Sequence, residues 1–249
     1  MSEVNDRPIV VVAMGGHAFI QRGEKGDIHD HERNAAAICD SLMILVERDY
    51  NLVVTHGNGP QVGNLLLQNE LTLDSVPSMP LGVLVAYTEG FLGYVLQQAL
   101  LNHLRRRQIK RYVVTMITQV LVERDDPAFQ NASKPIGPFL TQEQAEERRD
   151  HLGWKIIEDS GRGWRRLVAS PQPVRVVQRF MIRDSARAGH VVVACGGGGI
   201  PIVRNQGKDY EGIEAVIDKD LTSSVLAAEI GAELLIILTD VPQVYVNYG

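Results

Sequence analysis

Apolar residues follow two patterns along this chain. Continuous runs rich in β-branched residues occupy positions 9–12, 52–55, 191–194 and 234–238, with a fifth at 112–117, and none alternates with polar residues. Such runs predict strands of a parallel sheet covered on both faces. Between them apolar residues recur at helical spacing. Ile38, Leu42, Leu45 and Val46 make one stripe, and Leu92, Val95, Leu96, Ala99, Leu100 and Leu104 make another. This alternation predicts a doubly wound α/β fold with an open, mostly parallel sheet, whose ligands bind beyond the carboxyl ends of the strands. The most apolar long stretch, residues 80–104, is interrupted by Glu89, Asn102, His103 and glycines. Its helical period predicts a buried helix and no membrane span.

Residues 123–173 break the rhythm. They are polar, with a capping-box pair at Thr141 and Gln144 that predicts a helix start. A hairpin is predicted next, from residues 154–157 and 164–168 around the turn at 160–163. We read residues 1–249 as a single domain and 123–173 as a protruding subdomain inserted in it. Both a lid and a surface decoration fit that segment. Trp154 and Trp164 are expected to pack a small core belonging to the excursion itself.

Composition narrows the function classes. Hydrophobic residues at 45% and charged residues at 22% of 249 positions exclude a disordered or low-complexity chain. The net charge of −5, without a basic stripe, argues against a nucleic-acid partner. Cys39 and Cys195 are too few for a disulfide framework and form no CxxC pair, which points to a reducing, cytoplasmic setting. The polar N-terminus, MSEVNDRP, lacks the basic and apolar regions of a secretory signal, so no export is expected.

The chemistry is expected at glycine-rich turns that follow three of the strands: Gly15-Gly16, Gly57-Asn58-Gly59 and Gly196 to Gly199. Glycines let backbone N–H groups close on an oxyanion, and a following helix N-terminus adds partial positive charge. A single glycine pair is explained equally by a tight strand-to-helix turn; three in one chain favour phosphate binding. No GxxxxGK, GxSxG or HExxH occurs, and GxGxxG fails at Pro201, which removes P-loop, hydrolase, zinc-protease and dehydrogenase readings. Two lysines sit suggestively. Lys134 lies in a proline-stiffened KPIGP segment, and Lys219 lies between Asp218 and Asp220 ahead of an apolar helical run. With Asp218 as N-cap, Lys219 and Asp220 fall in the first helical turn. The string His29-Asp30-His31-Glu32 reads as a polar loop before a helix, and no metal ligand is assigned.

The strings THGNGPQVG (55–63), KPIGPF (134–139), ACGGGGIP (194–201), EAVIDKD (214–220) and ILTDVPQVY (237–245) stand in the order and spacing of carbamate kinases, within the amino acid kinase family. The chain resembles them from residue 9 to 249. The resemblance implies a three-layer α/β/α sandwich with a central eight-stranded, mostly parallel sheet, a protruding subdomain and a homodimer. It also implies reversible phosphoryl transfer between ATP and carbamate with Mg2+, run mainly from carbamoyl phosphate and ADP in the arginine deiminase route. By the family pattern, Gly15, Gly16, His17, Gly57, Asn58, Gly59 and Gly198 would line the substrate site. Lys134, Lys219 and Asp220 would be catalytic, and Lys219, Thr239, Asp240 and Tyr245 would meet the nucleotide.

Two departures from the pattern stand out. His17 replaces the family's asparagine, a ring that either tunes or impairs the site near neutral pH. The family also continues past the position of Gly249 through a further phosphate-contacting lysine, so the domain is expected to be incomplete at its C-terminus, with an uncovered sheet edge. Two alternatives therefore stay open: an impaired relative that binds carbamoyl phosphate or nucleotide as a regulatory subunit, and a kinase of the same superfamily with another small acceptor.

Overall fold

The computed structural model describes residues 6–21, 23–159, 161 and 163–239. Its elements run β1 (Ile9–Met14), α1 (Ile28–Glu47), β2 (Asn51–His56), α2 (Gly59–Leu71), α3 (Leu81–Arg106), β3 (Val113–Thr115) and β4 (Gln119–Leu121). They continue with β5 (Lys134–Leu140), α4 (Gln142–Leu152), β6 (Lys155–Glu158), β7 (Trp164–Val168), β8 (Arg175–Val176) and α5 (Arg179–Arg187). The last are β9 (Val191–Val193), β10 (Ile200–Arg204), β11 (Tyr210–Gly212), α6 (Lys219–Ile230) and β12 (Leu234–Leu238).

The five expected strands form one sheet in the order β12-β1-β2-β9-β3, parallel throughout. Why they lack alternation is visible in their packing. Val10, Val12, Met14, Leu52, Val54, Val191 and Val193 face one core with α1 and α3. Ile9, Val11, Val53 and Val192 face the opposite core with residues of α5 and α6. Along β1, β2 and β9 both faces are buried, so each position gains about 1.5–3 kcal/mol for a fully buried Val or Leu, whereas β12 leaves Leu234, Ile237 and Leu238 exposed. The fold is the expected α/β/α sandwich.

The eight-stranded central sheet implied by the resemblance is not what the described residues form. A separate four-stranded sheet has the order β11-β10-β4-β8. The break has a physical cause. After Val193 the backbone takes left-handed values at Cys195 (φ 53°), Gly197 (66°), Gly198 (89°) and Gly199 (86°), which cannot continue a ladder. Pairing resumes beyond it, with β10 parallel to β4 through Ile200↔Gln119.

A third sheet, β5-β7-β6, is antiparallel and leaves the chain between β4 and β8, which pair with each other. Its β6–β7 hairpin and the capping box opening α4 fall where the sequence placed them. β5 escapes sequence recognition because two prolines and Gly137 (φ 84°) interrupt its pattern; it tolerates them as the edge strand, with a register shift between Ile136 and Leu140. Trp154 corrects an expectation. It packs against the core formed by Val62, Leu66, Leu81 and Ile136, between Arg166 at 4.9 Å and Arg148 at 6.0 Å from the ring, and not within a core of the excursion alone.

β5 rests on α2 where two glycines meet: a Cβ on Gly63 would stand 2.8 Å from the amide nitrogen of Gly137. Gly63→Val is therefore expected to lift the β5 sheet off α2, at a cost of about 1–3 kcal/mol. Limited proteolysis should then cut within 134–168 faster than in the wild type, with the rest of the chain protected.

Candidate active site

The sheet order brings the ends of β1, β2 and β9 side by side, and all three run into glycines. The three turns are not alike. Only Gly57-Asn58-Gly59 opens directly into an α-helix, α2, with Pro60 in its first turn. Gly16 starts a short 3-10 turn, and Gly196 to Gly198 form another that leads into strand β10. The expectation of a helix after each turn thus holds for one.

The first two turns touch through their backbones. A Cβ on Gly57 would lie 2.7 Å from the nitrogen of Gly16, and one on Gly16 would lie 3.1 Å from the nitrogens of both Asn58 and Gly59. Any side chain here would close the gap. Its absence concentrates the amides of Gly16, Asn58 and Gly59 at the N-terminus of α2, an arrangement that favours negative charge. The third turn is wedged behind them. A Cβ on Gly197 would strike the Asn58 side chain and one on Gly198 the Ile217 carbonyl. Asn58 Nδ2 donates to Thr88 Oγ1 at 2.7 Å, and Thr222 Oγ1 donates to the Gly198 carbonyl at 2.8 Å.

α6 supplies the charges. Asp218 is its N-cap, Oδ1 accepting from the amides of Asp220 (2.9 Å) and Leu221 (3.3 Å). Lys219 and Asp220 follow in the first turn, as predicted, with Lys219 Nζ 2.5 Å from Asp220 Oδ1. The Lys219 stem passes over Gly57, its Cδ 3.3 Å from where a Cβ would be. Lys134, at the start of β5, donates to Asp218 Oδ2 at 2.9 Å, so the inserted sheet reaches the same spot. Burial pushes the Asp218 carboxyl up, but the Lys134 ammonium and the two amide donors outweigh it and hold it below the ordinary carboxylate range.

The structure therefore gathers Gly15, Gly16, Gly57, Asn58, Gly59, Gly198, Lys134, Lys219 and Asp220. His17 lies in the 3-10 turn at the same place. The pairing Met14↔Leu238 carries Thr239 to this edge beside Gly15. Asp240 and Tyr245 lie outside the described residues. The string His29-Asp30-His31-Glu32 is not a loop: it forms the first turns of α1, capped by Asp27. There His31 is buried, its Nδ1 donating to the Asp27 carbonyl at 2.7 Å and its Nε2 accepting from Gln61 at 3.2 Å. Among the described residues no group of three His, Cys, Asp or Glu side chains could hold a metal, and no helix is long and apolar enough to cross a membrane.

Two residues behind the turns carried no assignment from sequence. His56, at the end of β2, and Glu89, on α3, are 0% and 1% exposed. Burial pushes the His56 ring down to about 4, opposed by its bond to the Gly57 carbonyl. Burial also drives Glu89 well above the carboxylate range, opposed by amide donors from Thr118 and Gly196. The available signal was Glu89 itself, the one acidic residue in the apolar stretch 80–104.

These shifts oppose one another in stability. For His56 the folded state binds fewer protons than the unfolded one, so stability is lost as pH falls from 6.5 to about 4, by about 3 kcal/mol over that window. For Glu89 the folded state holds a proton the unfolded chain releases above 4.5, so stability is lost as pH rises. Glu89→Gln removes the second slope alone. Urea midpoints across pH 4–6.5 should consequently fall more steeply on acidification in this variant than in the wild type.

The model of the amino acid kinase family matches residues 8–249. A carbamate kinase of Thermococcus kodakarensis is 45% identical over 243 residues, covering 96% of this chain and 77% of that protein. One of Trichomonas vaginalis is 46% identical over 241 residues, with the same coverage of both. Among solved structures, a Giardia lamblia carbamate kinase bound to citric acid superposes with a TM-score of 0.92 at 39% identity, over 99% of this chain and 78% of that one.

Proposed function

The chain belongs to the amino acid kinase family, and on that premise we propose that it carries out the carbamate kinase reaction, reversible phosphoryl transfer between ATP and carbamate. The observation that carries this reading is the meeting of the Gly16, Asn58 and Gly59 amides with Lys219 at one point. In the ATP-forming direction a β-phosphate oxygen of ADP attacks the phosphorus of carbamoyl phosphate. The bond to the carbamoyl oxygen breaks, and carbamate leaves with its electron pair. Little covalent chemistry is asked of the protein; it must align two anions and neutralise the charge that spreads over the transferred group.

Each part of the site has a task in that scheme. The amides of Gly16, Asn58 and Gly59, with the N-terminus of α2, hold the transferring phosphoryl group. Lys219 stands over it, and Asp220 keeps the ammonium in place. Gly15, His17, Gly57 and Gly198 complete the acceptor side, while Thr239, Asp240 and Tyr245 serve the nucleotide. Lys134 arrives on the β5 sheet, which we read as a lid spanning 123–173. Its charge is held by Asp218, and a phosphate at the site would compete for it. Closure would also exclude water that hydrolyses carbamoyl phosphate. Magnesium would ride on the nucleotide phosphates, consistent with its preference for phosphate and water over an all-protein cage, and would supply further neutralisation.

The same family reading includes a homodimer acting in the cytoplasm in the arginine deiminase route. An exposed stripe on α3, Tyr87, Phe91 and Tyr94, suits a subunit contact.

The test is ATP formation from carbamoyl phosphate and ADP with Mg2+, in the purified chain and in Lys134→Ala and Lys219→Ala. The reading expects turnover in the wild type and losses of about 100- to 1000-fold in each variant with folding intact. A folded wild type without turnover would contradict it.

A further inference from the structure

Behind the glycine turns, two buried polar atoms lack partners. Glu89 Oε2 accepts from the Thr118 amide at 2.9 Å, and this carboxyl also receives the Gly196 amide, yet Oε1 has no hydrogen-bond partner. His56 Nδ1 donates to the Gly57 carbonyl at 3.0 Å, which leaves Nε2 as an acceptor, likewise without a partner. Both side chains border the same glycine. A Cβ on Gly196 would stand 2.7 Å from His56 Cε1 and Nε2 and 2.9 Å from Glu89 Cγ.

The two unpartnered atoms are complementary. His56 Nε2 offers a lone pair, and a protonated Glu89 Oε1 offers a hydrogen. A single buried water between them would satisfy both at once. We propose that Glu89 and His56 act as a water-bridged pair of positioning residues, fixing the Gly57 and Gly196 turns relative to each other so that the anion site is preformed. Glu89 holds one turn through the Gly196 amide, and His56 holds the other through the Gly57 carbonyl. The acid must be neutral to donate, and a neutral group also leaves no negative charge behind the turns that receive phosphate. The titratable groups facing Glu89 are His56 from β2 and the buried Cys195 thiol, itself pushed up by burial. With burial keeping the His56 ring neutral, neither supplies a counter-charge to a carboxylate.

This inference rests on the phosphoryl-transfer reading for its kinetic consequences but can be tested without it. In the kinetic arm, kcat/KM for carbamoyl phosphate is followed against pH. The wild type should lose about tenfold per pH unit once Glu89 ionises. Glu89→Gln, whose amide remains neutral and can still donate, should stay within about threefold of the wild-type maximum and show no loss as pH rises. Glu89→Leu and His56→Phe should fall at neutral pH by about 10- to 100-fold. In the second arm, the Gly196 and Thr118 amide resonances are followed by NMR in ligand-free protein. They should titrate together with one midpoint, above the ordinary carboxylate range, in the wild type and stay still in Glu89→Gln. An unchanged loss with rising pH in an active Glu89→Gln, or amides that titrate independently of Glu89, would overturn the pair. A wild type without turnover bears on the phosphoryl-transfer reading, and the NMR arm still decides the pair.

Discussion

The Asp218 carboxylate is the interaction on which the site's arrangement turns. One oxygen caps α6 and thereby sets where the chain becomes helical, placing Lys219 and Asp220 in the first turn. The other oxygen receives Lys134 from an inserted sheet 84 positions away in sequence. A single acid thus fixes a local backbone transition and a long-range contact, and it brings both lysines to the end of the parallel sheet. An uncharged cap such as Ser would satisfy the helix and lose the anchor for Lys134.

The second constraint is the backbone apposition of Gly16 and Gly57. Donor groups on adjacent strand ends converge only because no side chain separates them, and the space is smaller than one methyl group. Such closeness needs firm support from behind. The support is polar: Asn58 to Thr88, Thr222 to the Gly198 carbonyl, Thr55 to Ser223 at 2.6 Å, and Glu89 to the Thr118 amide. Buried polar contacts fix geometry more narrowly than apolar packing, because each loses most of its energy when its partner shifts. A site that must hold a phosphoryl group between two anions benefits from that rigidity.

Much of this was legible in the residues, for reasons that differ by element. β1, β2 and β9 were readable because both of their faces are buried, which suppresses polar alternation, and β12 was readable from its unbroken run of Leu and Ile although three of its residues are exposed. α4 and α6 announced themselves through Thr141, Gln144 and Asp218, whose cap roles are local. The strands β4, β8, β10 and β11 were not readable: β10 contains Pro201, β11 is exposed at every residue, and β4 and β8 take their partners from distant parts of the chain. β5 hid behind its prolines. Trp154 was misplaced because local sequence does not reveal that the excursion lies against α2. His56 and Glu89 were opaque for a similar reason: each sits in a run that reads as ordinary strand or helix, and only the three-dimensional meeting at Gly196 shows them as neighbours.

The central proposal is that the amides of Gly16, Asn58 and Gly59 form the seat of the transferred phosphoryl group. The most direct test is to add carbamoyl phosphate to isotope-labelled protein and follow backbone amide resonances by NMR. The account predicts that these three amides shift together and saturate along one binding curve, and that Lys219→Ala weakens that curve. Saturable shifts confined to other parts of the molecule, with these three amides unmoved, would contradict it.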